Sequence, residues 1–433
     1  IPFELPEGWS WTRLGSLFST ITGSTPSTKD ASLYGDEYPF YKPTDLDAGF
    51  DVCVSEDTVS EKGYKNGRIL PMYSVLVTCI GATIGKTGYI KNSGICNQQI
   101  NAILPNTFIL PEYTYFCMCS EFEQQQIWTN SSATTLPILN KSKFDILFFP
   151  VPPKAQQTRT VERIKELLHF VEIIQQEKRT LQETIKLTKS KILDLAIRGK
   201  LVPQDPNDEP ASVLLERIRS EKEELIKQGK IKRDKKESVI FKGDDNSYYE
   251  KIGNDVTCID DEISFDIPDT WSWTRISTIT DITMGSSPKS QDICNDNQYI
   301  EFHQGKIYFS KKTLMKSNQY TRKTTKLAPK QSVLLCVRAP VGELNITDRD
   351  ICIGRGLASI KSLGNINEEF IFYWLHPYKT YLVNQSTGST FSAITSDTVR
   401  KILIPLPPLM EQKEILDKIQ KVFTLFENLE TVN

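Results

Sequence analysis

Apolar residues recur at steps of three, four and seven along one central stretch of the chain. Pro153 is followed by no proline until Pro203 and by no glycine until Gly199, so helix-breaking residues flank this stretch and are absent within it. The pattern predicts one helix of about 45 residues, roughly 65 Å long, which suits a spacer. Its apolar stripe predicts a coiled-coil seam formed by Val161, Ile164, Leu168, Val171, Ile174, Leu181, Ile185, Ile192 and Leu195.

A second helical pattern begins near Glu411, and its apolar positions include Ile415, Ile419 and Val422. Antiparallel pairing of the two helices through their seams would place one globular domain at each end of a rod, with approximate two-fold symmetry. The second helix reaches only Asn433 and is shorter than the first. This difference leaves three explanations open: truncation, disorder or completion by another chain.

The chain is a tandem repeat. Its opening segment Leu5–Leu14, LPEGWSWTRL, recurs as Ile267–Ile276, IPDTWSWTRI, and the run Phe149–Pro153, FPVPP, recurs as Ile404–Pro408, IPLPP. A glutamine and a helical pattern follow each of these proline-rich runs. Self-similarity on this scale predicts two domains of about 150 residues with the same fold, each leading into a helix.

Motifs inside the repeats extend the match. Val77–Gly85 aligns with Leu334–Gly342, and Cys96 aligns with Cys352. The glycine spacing of the first of these segments is one residue too short for a phosphate-binding P-loop, and the second repeat lacks the Lys-Thr pair. A tight turn beside a strand is the better interpretation of these glycines.

Within each repeat, short runs rich in Val, Ile, Leu and Thr predict strands, such as Ser74–Ile80 and Ser332–Val337. Helices are predicted over Pro111–Trp128 and Asn367–Tyr381. This mixture predicts two α+β domains.

Between the repeats, the sequence predicts a helix over Ala211–Gln228, a charged tract over Lys230–Glu237 and then a polar segment. The charged tract is typical of a solvated connector, and contact with a partner protein or DNA is the alternative.

Charge is distributed unevenly along the chain. With 52 basic and 54 acidic residues the net charge of -2 does not favour nucleic acid, but no Asp or Glu lies between Lys62 and Pro111 or between His303 and Gly342. These stretches are rich in Lys and Arg, and aromatic and amide side chains lie among them. Because Lys and Arg neutralise phosphates, and Arg, Gln and Asn can read base edges, the stretches predict one DNA-binding face in each domain. An ordinary solvated face is the alternative.

Signals for chemistry and for a membrane are weak. The three histidines are scattered, and the nine cysteines lack CxxC pairs or histidine partners, so we expect no metal site and reduced core cysteines. No pair of carboxylates is nominated for acid–base work. The chain has neither a long apolar run nor a signal-peptide pattern at its start, which predicts a cytoplasmic protein.

The layout resembles the specificity (S) subunit of type I restriction-modification systems. The resemblance rests on the two Pro-x-x-Trp-x-Trp-x-Arg openings, the two Pro-x-Pro-Pro closings with their helices, and the segment Leu214–Lys232. It implies a non-catalytic DNA reader whose two target recognition domains each recognise half of a bipartite DNA sequence. It also implies that two methyltransferase subunits and restriction subunits dock on this chain. The cofactors S-adenosylmethionine, ATP and Mg are then expected in those partners, and none in this chain.

The resulting domain prediction has four parts: a first target recognition domain at 1–150, a helical spacer and linker at 151–262, a second target recognition domain at 263–404 and a short spacer helix at 405–433. Two other functions stay open at this point. One is a coiled-coil scaffold with two protein-binding domains, and the other is a nuclease or ATPase.

Positions that differ between the repeats are expected to select different bases, whereas shared positions build the common fold. Arg and the amides are suited to base reading, and the lysines to phosphate contacts. The predicted DNA-binding residues are Lys65, Arg68, Lys86, Gln98 and Gln99 in the first repeat, and Lys311, Lys312, Arg322, Lys323, Arg338 and Arg355 in the second.

Overall fold

A computed structural model describes residues 3–132, 136–233, 237–386 and 393–431. The chain divides into two compact units, residues 1–176 and 177–433. Residues 234–236, in the middle of the predicted charged tract, lie outside the described residues.

The first unit contains nine strands and the start of a long helix among its described residues. The strands are β1 Ser10–Arg13, β2 Thr20–Thr22, β3 Tyr34–Tyr41, β4 Asp57–Val59, β5 Val75–Thr78, β6 Thr87–Tyr89, β7 Ile95–Cys96, β8 Ile100–Ile103 and β9 Phe148–Val151. The helices are α1 Leu14–Leu17, α2 Glu61–Asn66, α3 Pro111–Cys119, α4 Glu121–Asn130, α5 Lys141–Asp145 and α6 Lys154–Ile197, which continues into the second unit.

The described part of the second unit has a similar element order but fourteen strands, three of which form an additional sheet of their own. The strands are β10 Ser238–Lys242, β11 Tyr248–Ile252, β12 Asp255–Cys258, β13 Ser272–Arg275, β14 Thr280–Met284, β15 Ile293–Cys294, β16 Ile300–His303, β17 Tyr320–Thr321, β18 Leu327–Ala328, β19 Ser332–Cys336, β20 Leu344–Thr347, β21 Ile351–Ile353, β22 Leu357–Ser362 and β23 Leu403–Leu406. The helices are α7 Ala211–Lys227, α8 Ile276–Ile279, α9 Glu368–Leu375, α10 Lys379–Asn384, α11 Ser396–Arg400 and α12 Leu409–Thr431.

In each unit, the opening tryptophan motif pairs with the closing proline motif. Strand β1 runs antiparallel to β9 with Trp11 opposite Pro150, and β13 runs antiparallel to β23 with Trp273 opposite Pro405. Proline lacks an N–H and is tolerated in such two-stranded pairs because only one side of the strand has to bond. The two motifs recur in both repeats because together they close the domain.

A four-stranded sheet forms the centre of each unit, in the order β2-β8-β5-β6 and β14-β22-β19-β20. Of its two inner strands, β5 in the first unit and β19 in the second are buried on both faces. In β5, Val75 and Val77 pack in one apolar cluster and Leu76 in another. Side chains alternate in direction along a strand, so one short strand supplies two cores. The same alternation in β19 sends Val333 and Leu334 to different clusters.

The predicted long helix is present as α6. It begins after Pro152 and Pro153, and the buried side chain of Gln157 donates to the Pro152 carbonyl at 3.1 Å. At the start of α12, the equivalent Gln412 donates to the Pro407 carbonyl at 3.0 Å. The glutamine that follows each proline run therefore fixes the direction in which the helix leaves the domain.

Within the second unit, α12 runs antiparallel to the end of α6. Lys189 lies 3.4 Å from Glu430, whereas Gln204, just beyond α6, donates to Glu411 at 2.5 Å. The start of α12 therefore lies near the end of α6, and the end of α12 lies beside an earlier turn of α6. Ile415 and Ile419 are fully buried in the same cluster as the C-terminal turns of α6.

The seam positions of α6 differ in their surroundings. Val161 is buried in the core of the first unit, and Ile185 is buried in the second. Leu168, Val171 and Ile174 are exposed on the helix. The others are partly buried and comprise Ile164, Leu181, Ile192 and Leu195, as is Val422 of α12.

Three local predictions were wrong. The predicted helix Pro111–Trp128 is broken because Ser120 adopts an extended conformation and its side chain caps α4 at the Glu123 N–H. The predicted helix Asn367–Tyr381 is likewise interrupted, by a 3-10 turn at His376–Tyr378. The segment predicted as a polar linker contains the sheet β10-β11-β12, and Arg275 of β13 pairs with Glu250 of β11 at 2.7 Å.

We expect Ile419→Ala in α12 to lower the free energy of unfolding by about 2–5 kcal/mol, because it leaves a cavity in a fully buried cluster. Leu425→Ala on the same helix, where the side chain is 62% exposed, is the matched control and should cost about 0.5 kcal/mol or less. Urea unfolding of the full chain measures both. Equal effects would contradict the packing of α12 described above.

Candidate nucleic-acid interface

A tight turn follows strand β5 in the first unit and strand β19 in the second. The hydrogen bonds that close these turns show which residues of the two repeats correspond. The N–H of Gly85 bonds the carbonyl of Thr78, and the N–H of Gly342 bonds the carbonyl of Cys336. The turn is therefore one residue shorter in the second unit. Thr78, and not Cys79, corresponds to Cys336, so the predicted alignment of this segment was wrong by one residue.

By the same correspondence, Ile80 of the first unit is equivalent to Arg338 of the second. Each forms a single bridge to a later segment, Ile80 to Ile138 and Arg338 to Ala393. An aliphatic residue and an arginine thus occupy one position of the shared fold.

A second loop, between β7 and β8 or β21 and β22, lies beside this turn. The N–H of Ser24 bonds the carbonyl of Cys96, and the N–H of Ser286 bonds the carbonyl of Ile353. Cys96 therefore corresponds to Ile353, and the predicted match to Cys352 was also wrong by one. Gln98 consequently corresponds to Arg355.

In the second unit these two segments line a cleft of about 250 Å³. Arg338 comes from the turn and Arg355 from the loop, and both are exposed. Among the described residues, no carboxylate forms an ion pair with either guanidinium group. The sequence predicted both residues separately, and the structure places them in one cleft.

Two further cleft residues were missed, Gln304 and Lys306. They follow strand β16, whose contact with the cleft loop is a backbone bond from the Gly354 N–H to the His303 carbonyl at 2.8 Å. Lys306 lay inside the second acid-free stretch, which is the signal that pointed to it.

The acid-free stretches are not acid-free in space. Lys65 pairs with Glu61 at 2.7 Å, and Lys86 pairs with Asp47 at 2.7 Å. Lys312 pairs with Glu369 at 2.6 Å. Lys311 lies 3.5 Å from Glu430 of α12. Acidic residues outside these stretches, one of them on the same helix and three from more distant segments, thus pair with four of the predicted lysines.

The remaining predicted residues lie at exposed or partly exposed positions. Arg68 donates to the Thr22 carbonyl at 2.6 Å, and the Arg322 guanidinium lies 5.8 Å from the ring centre of Tyr299. Lys323 is exposed, and Gln99 accepts a hydrogen bond from Asn97 at 2.9 Å. The binding roles of all these residues stay predictions.

Charge is reversed between the units at one pair of positions. After the turn, the first unit has Lys86, paired with Asp47 from the segment after β3. The second unit has Glu343, which lies 3.8 Å from Lys306 in the segment after β16. The electrostatic surroundings of the two turns therefore differ although their backbones correspond.

A partly buried ion pair anchors strand β16, which leads into the cleft. Glu301 bonds both Arg349 and His303, at 2.6 and 2.9 Å. Burial disfavours ionisation of this carboxyl, but the bonds from Arg349, the Ser317 N–H and His303 prevail and lower the pKa of Glu301 to about 2. Burial lowers the pKa of His303 below its ordinary value despite the neighbouring carboxylate. This cluster holds the chain that leads into Gln304.

The prediction of core cysteines is correct only in part. Four cysteines are buried, Cys79, Cys96, Cys336 and Cys352, but Cys53, Cys119 and Cys258 are exposed, so the prediction of core cysteines was wrong for these three.

Over the described parts of the chain, no three His, Cys, Asp or Glu side chains form a group that could hold a metal ion. No helix in those parts is long and apolar enough to cross a bilayer.

Two copies of one α+β domain, with different polar side chains on corresponding turns and a long helix after the first, define a tandem recognition protein. The chain matches the type I restriction modification DNA specificity domain over residues 6–183 and 268–433, one match for each repeat. Because these matches cover most of its length, the chain belongs to that family of specificity subunits.

Related proteins agree with this assignment. The MjaX specificity subunit of Methanocaldococcus jannaschii is 36% identical over 165 residues, which are 37% of this chain and 39% of that relative. The type I restriction enzyme EcoAI specificity subunit of Escherichia coli is 21% identical over 500 residues, covering 100% of this chain and 80% of the relative. The crystal structure of the HsdS subunit from Thermoanaerobacter tengcongensis has the same fold, with a TM-score of 0.61 at 20% identity, covering 100% of this chain and 93% of that one.

The ion pair that anchors strand β16 generates a pH prediction. The ordinary pKa of a glutamate is 4.5 and that of Glu301 is about 2, so its stabilising effect is present above pH 4.5 and is lost as the pH falls towards 2. Glu301→Gln should therefore lower the urea midpoint at pH 7, and the difference from the native chain should shrink between pH 4.5 and pH 2.

Glu224→Gln, at an exposed position of α7, is the control and should leave the midpoint unchanged at both ends of this range. A constant difference between Glu301→Gln and the native chain across the whole range would contradict the lowered pKa.

Proposed function

We propose that this chain reads a bipartite DNA sequence for a type I restriction-modification complex. One observation carries the proposal: both specificity-domain matches fall on units whose central four-stranded sheets have the same strand order but whose corresponding turns carry different side chains. A common backbone that carries different side chains on corresponding turns is suited to reading two different half-sites. Helix α6 would act as the spacer that sets the unread gap between them.

In this proposal the chain supplies recognition and no catalysis. It docks two methyltransferase subunits, which bind S-adenosylmethionine and methylate adenine N6, and motor-nuclease restriction subunits, which use ATP and Mg. The complex works in the cytoplasm. The domain limits proposed from the sequence, 1–150, 151–262, 263–404 and 405–433, remain part of this proposal, with the sheet β10-β11-β12 inside the second segment.

One solved structure supports the proposal that this chain assembles into a larger complex. A chain from work on complex assembly and conformational transition of the type I R-M system superposes with a TM-score of 0.69 at 21% identity, covering 100% of this chain and 94% of that one. The scaffold and the nuclease or ATPase interpretations are not favoured, because the family match covers both repeats and is to a DNA specificity domain.

Methylation mapping tests the proposal directly. Genomic DNA from cells that express this chain with its cognate modification subunit should carry N6-methyladenine within a motif of two defined parts around an unspecified gap. Cells that lack this chain should not show that motif. Absence of any such motif, in cells where the same modification subunit is active beside another specificity subunit, would contradict the proposal.

The lysines are expected to act on DNA without sequence preference. Lys311→Glu with Lys312→Glu should weaken binding to all DNA sequences and reduce the slope of log affinity against log salt by about 0.9 for each phosphate that is no longer neutralised. The ion pair of the exposed Lys311 does not prevent such contacts, since surface pairs contribute about 0–1 kcal/mol.

Lys251→Glu, an exposed lysine of the sheet β10-β11-β12, is the control with the same charge change and should leave binding unaltered. Filter binding at several salt concentrations measures the slope, and thermal unfolding checks that the double variant folds. An unchanged slope in a folded double variant would remove these lysines from the interface.

A further inference from the structure

The loop that joins β7 to β8 in the first unit corresponds to the loop that joins β21 to β22 in the second. The two loops have matching backbone hydrogen bonds. The Ile100 N–H bonds the Asn97 carbonyl at 3.2 Å, and the Leu357 N–H bonds the Gly354 carbonyl at 3.0 Å. Each bond spans a turn of two intervening residues. The first of these two residues is Gln98 in one unit and Arg355 in the other.

This loop is anchored on the strand side and exposed at its tip. Cys96 and Asn97 before the tip and Ile100 after it are buried, whereas Gln98 is exposed. In the second unit Ile353 and Gly354 are buried and Arg355 is exposed. A variable polar side chain is thus presented outward from a backbone that the core holds in place.

The neighbouring serine or threonine also corresponds. The Thr25 hydroxyl donates to the side-chain oxygen of Gln98, and the Ser287 hydroxyl accepts from the Arg355 N–H at 3.3 Å. In the first unit this contact orients the amide. In the second it holds the backbone and leaves the guanidinium group for the cleft.

The second unit adds an arginine beside this tip. Arg338 replaces the Ile80 of the first unit and lines the same cleft as Arg355, together with Lys306. A side chain on Gly356 would approach the Gln304 carbonyl to 2.2 Å, so the floor of the cleft remains backbone and the arginines supply its polar walls. The first unit has one amide where the second has two arginines.

These side chains differ in the base edges that they can bond. An arginine donates two hydrogen bonds in a fixed fork, which fits the O6 and N7 acceptors of guanine in the major groove. A glutamine amide donates and accepts at once, which fits N7 and N6 of adenine.

We propose that Gln98 and Arg355 occupy one base-reading position in the two units, with Arg355 and Arg338 selecting guanine and Gln98 selecting adenine. The proposal rests on the DNA-reading function proposed above and specifies its chemistry. It makes the half-site read by the second unit richer in guanine at this position than the half-site read by the first.

Selection from a pool of duplex DNA with randomised positions tests the assignment, with the full chain assembled with its modification subunit. Arg355→Gln should reduce the guanine preference at one position of one half-site by about tenfold or more and raise adenine there. Gln98→Arg should make the reverse change, from adenine to guanine, in the other half-site. Arg338→Gln should reduce guanine preference in the same half-site as Arg355→Gln.

Arg217→Gln is the matched control, because it removes the same charge from a residue of α7 that pairs with Glu209. It should leave both half-sites unchanged. If Arg355→Gln fails to assemble, Arg355→Lys replaces it, since lysine keeps the charge without the two-pronged geometry and should also lose the guanine preference.

The outcomes separate this inference from the function on which it rests. A bipartite motif for the native chain with unaltered base frequencies in the variants would overturn the base-reading assignment alone. Equal weakening on all sequences would do the same, because it identifies a phosphate contact. If the native assembly selected no bipartite motif, the proposed function and this inference would both fail.

Discussion

Each domain depends on the pairing of its first strand with its last. The tryptophan motif in β1 or β13 and the proline motif in β9 or β23 lie far apart in sequence, and their antiparallel register joins the ends of the unit. The helix leaves directly after this pair, where Gln157 or Gln412 bonds the proline segment. Because the exit is tied to the closing strand, the direction of the helix is a property of the domain core.

The long helix and the duplication could be predicted from the sequence because both are local or repeated signals. Helix-breaking residues bound α6, and its apolar positions recur at steps of three, four and seven, with Lys178 and Thr188 in the gaps. The break between α3 and α4 could not be found in this way, since a single serine, Ser120, caps the second helix from an extended conformation. The sheet β10-β11-β12 was not predicted because its strands are short, lie among charged and polar residues and are mostly exposed or only partly buried, so tertiary contacts such as Arg275 with Glu250 decide its place.

The candidate site shows a different limit. A stretch without acidic residues predicts a positive surface only if its neighbours in space are its neighbours in sequence. Asp47 and Glu369 reach Lys86 and Lys312 from elsewhere in their units, which no linear pattern reveals. Aligning the repeats on the identical residues Cys96 and Cys352 concealed the correspondence of Gln98 with Arg355, because the backbone hydrogen bonds match Cys96 with Ile353 instead.

The arrangement of buried anchors and exposed tips separates recognition from stability. Substitution of a buried neighbour such as Ile100 or Ile353 would disturb the sheet and cost about 2–5 kcal/mol, whereas changes at exposed tips usually stay within about 0.5 kcal/mol. The tip residues can therefore vary widely while the fold persists. Two copies of such a domain can therefore acquire different residues at the exposed loop tips. Because the strand register is the same in both copies, each new side chain stays at the same place relative to its own sheet.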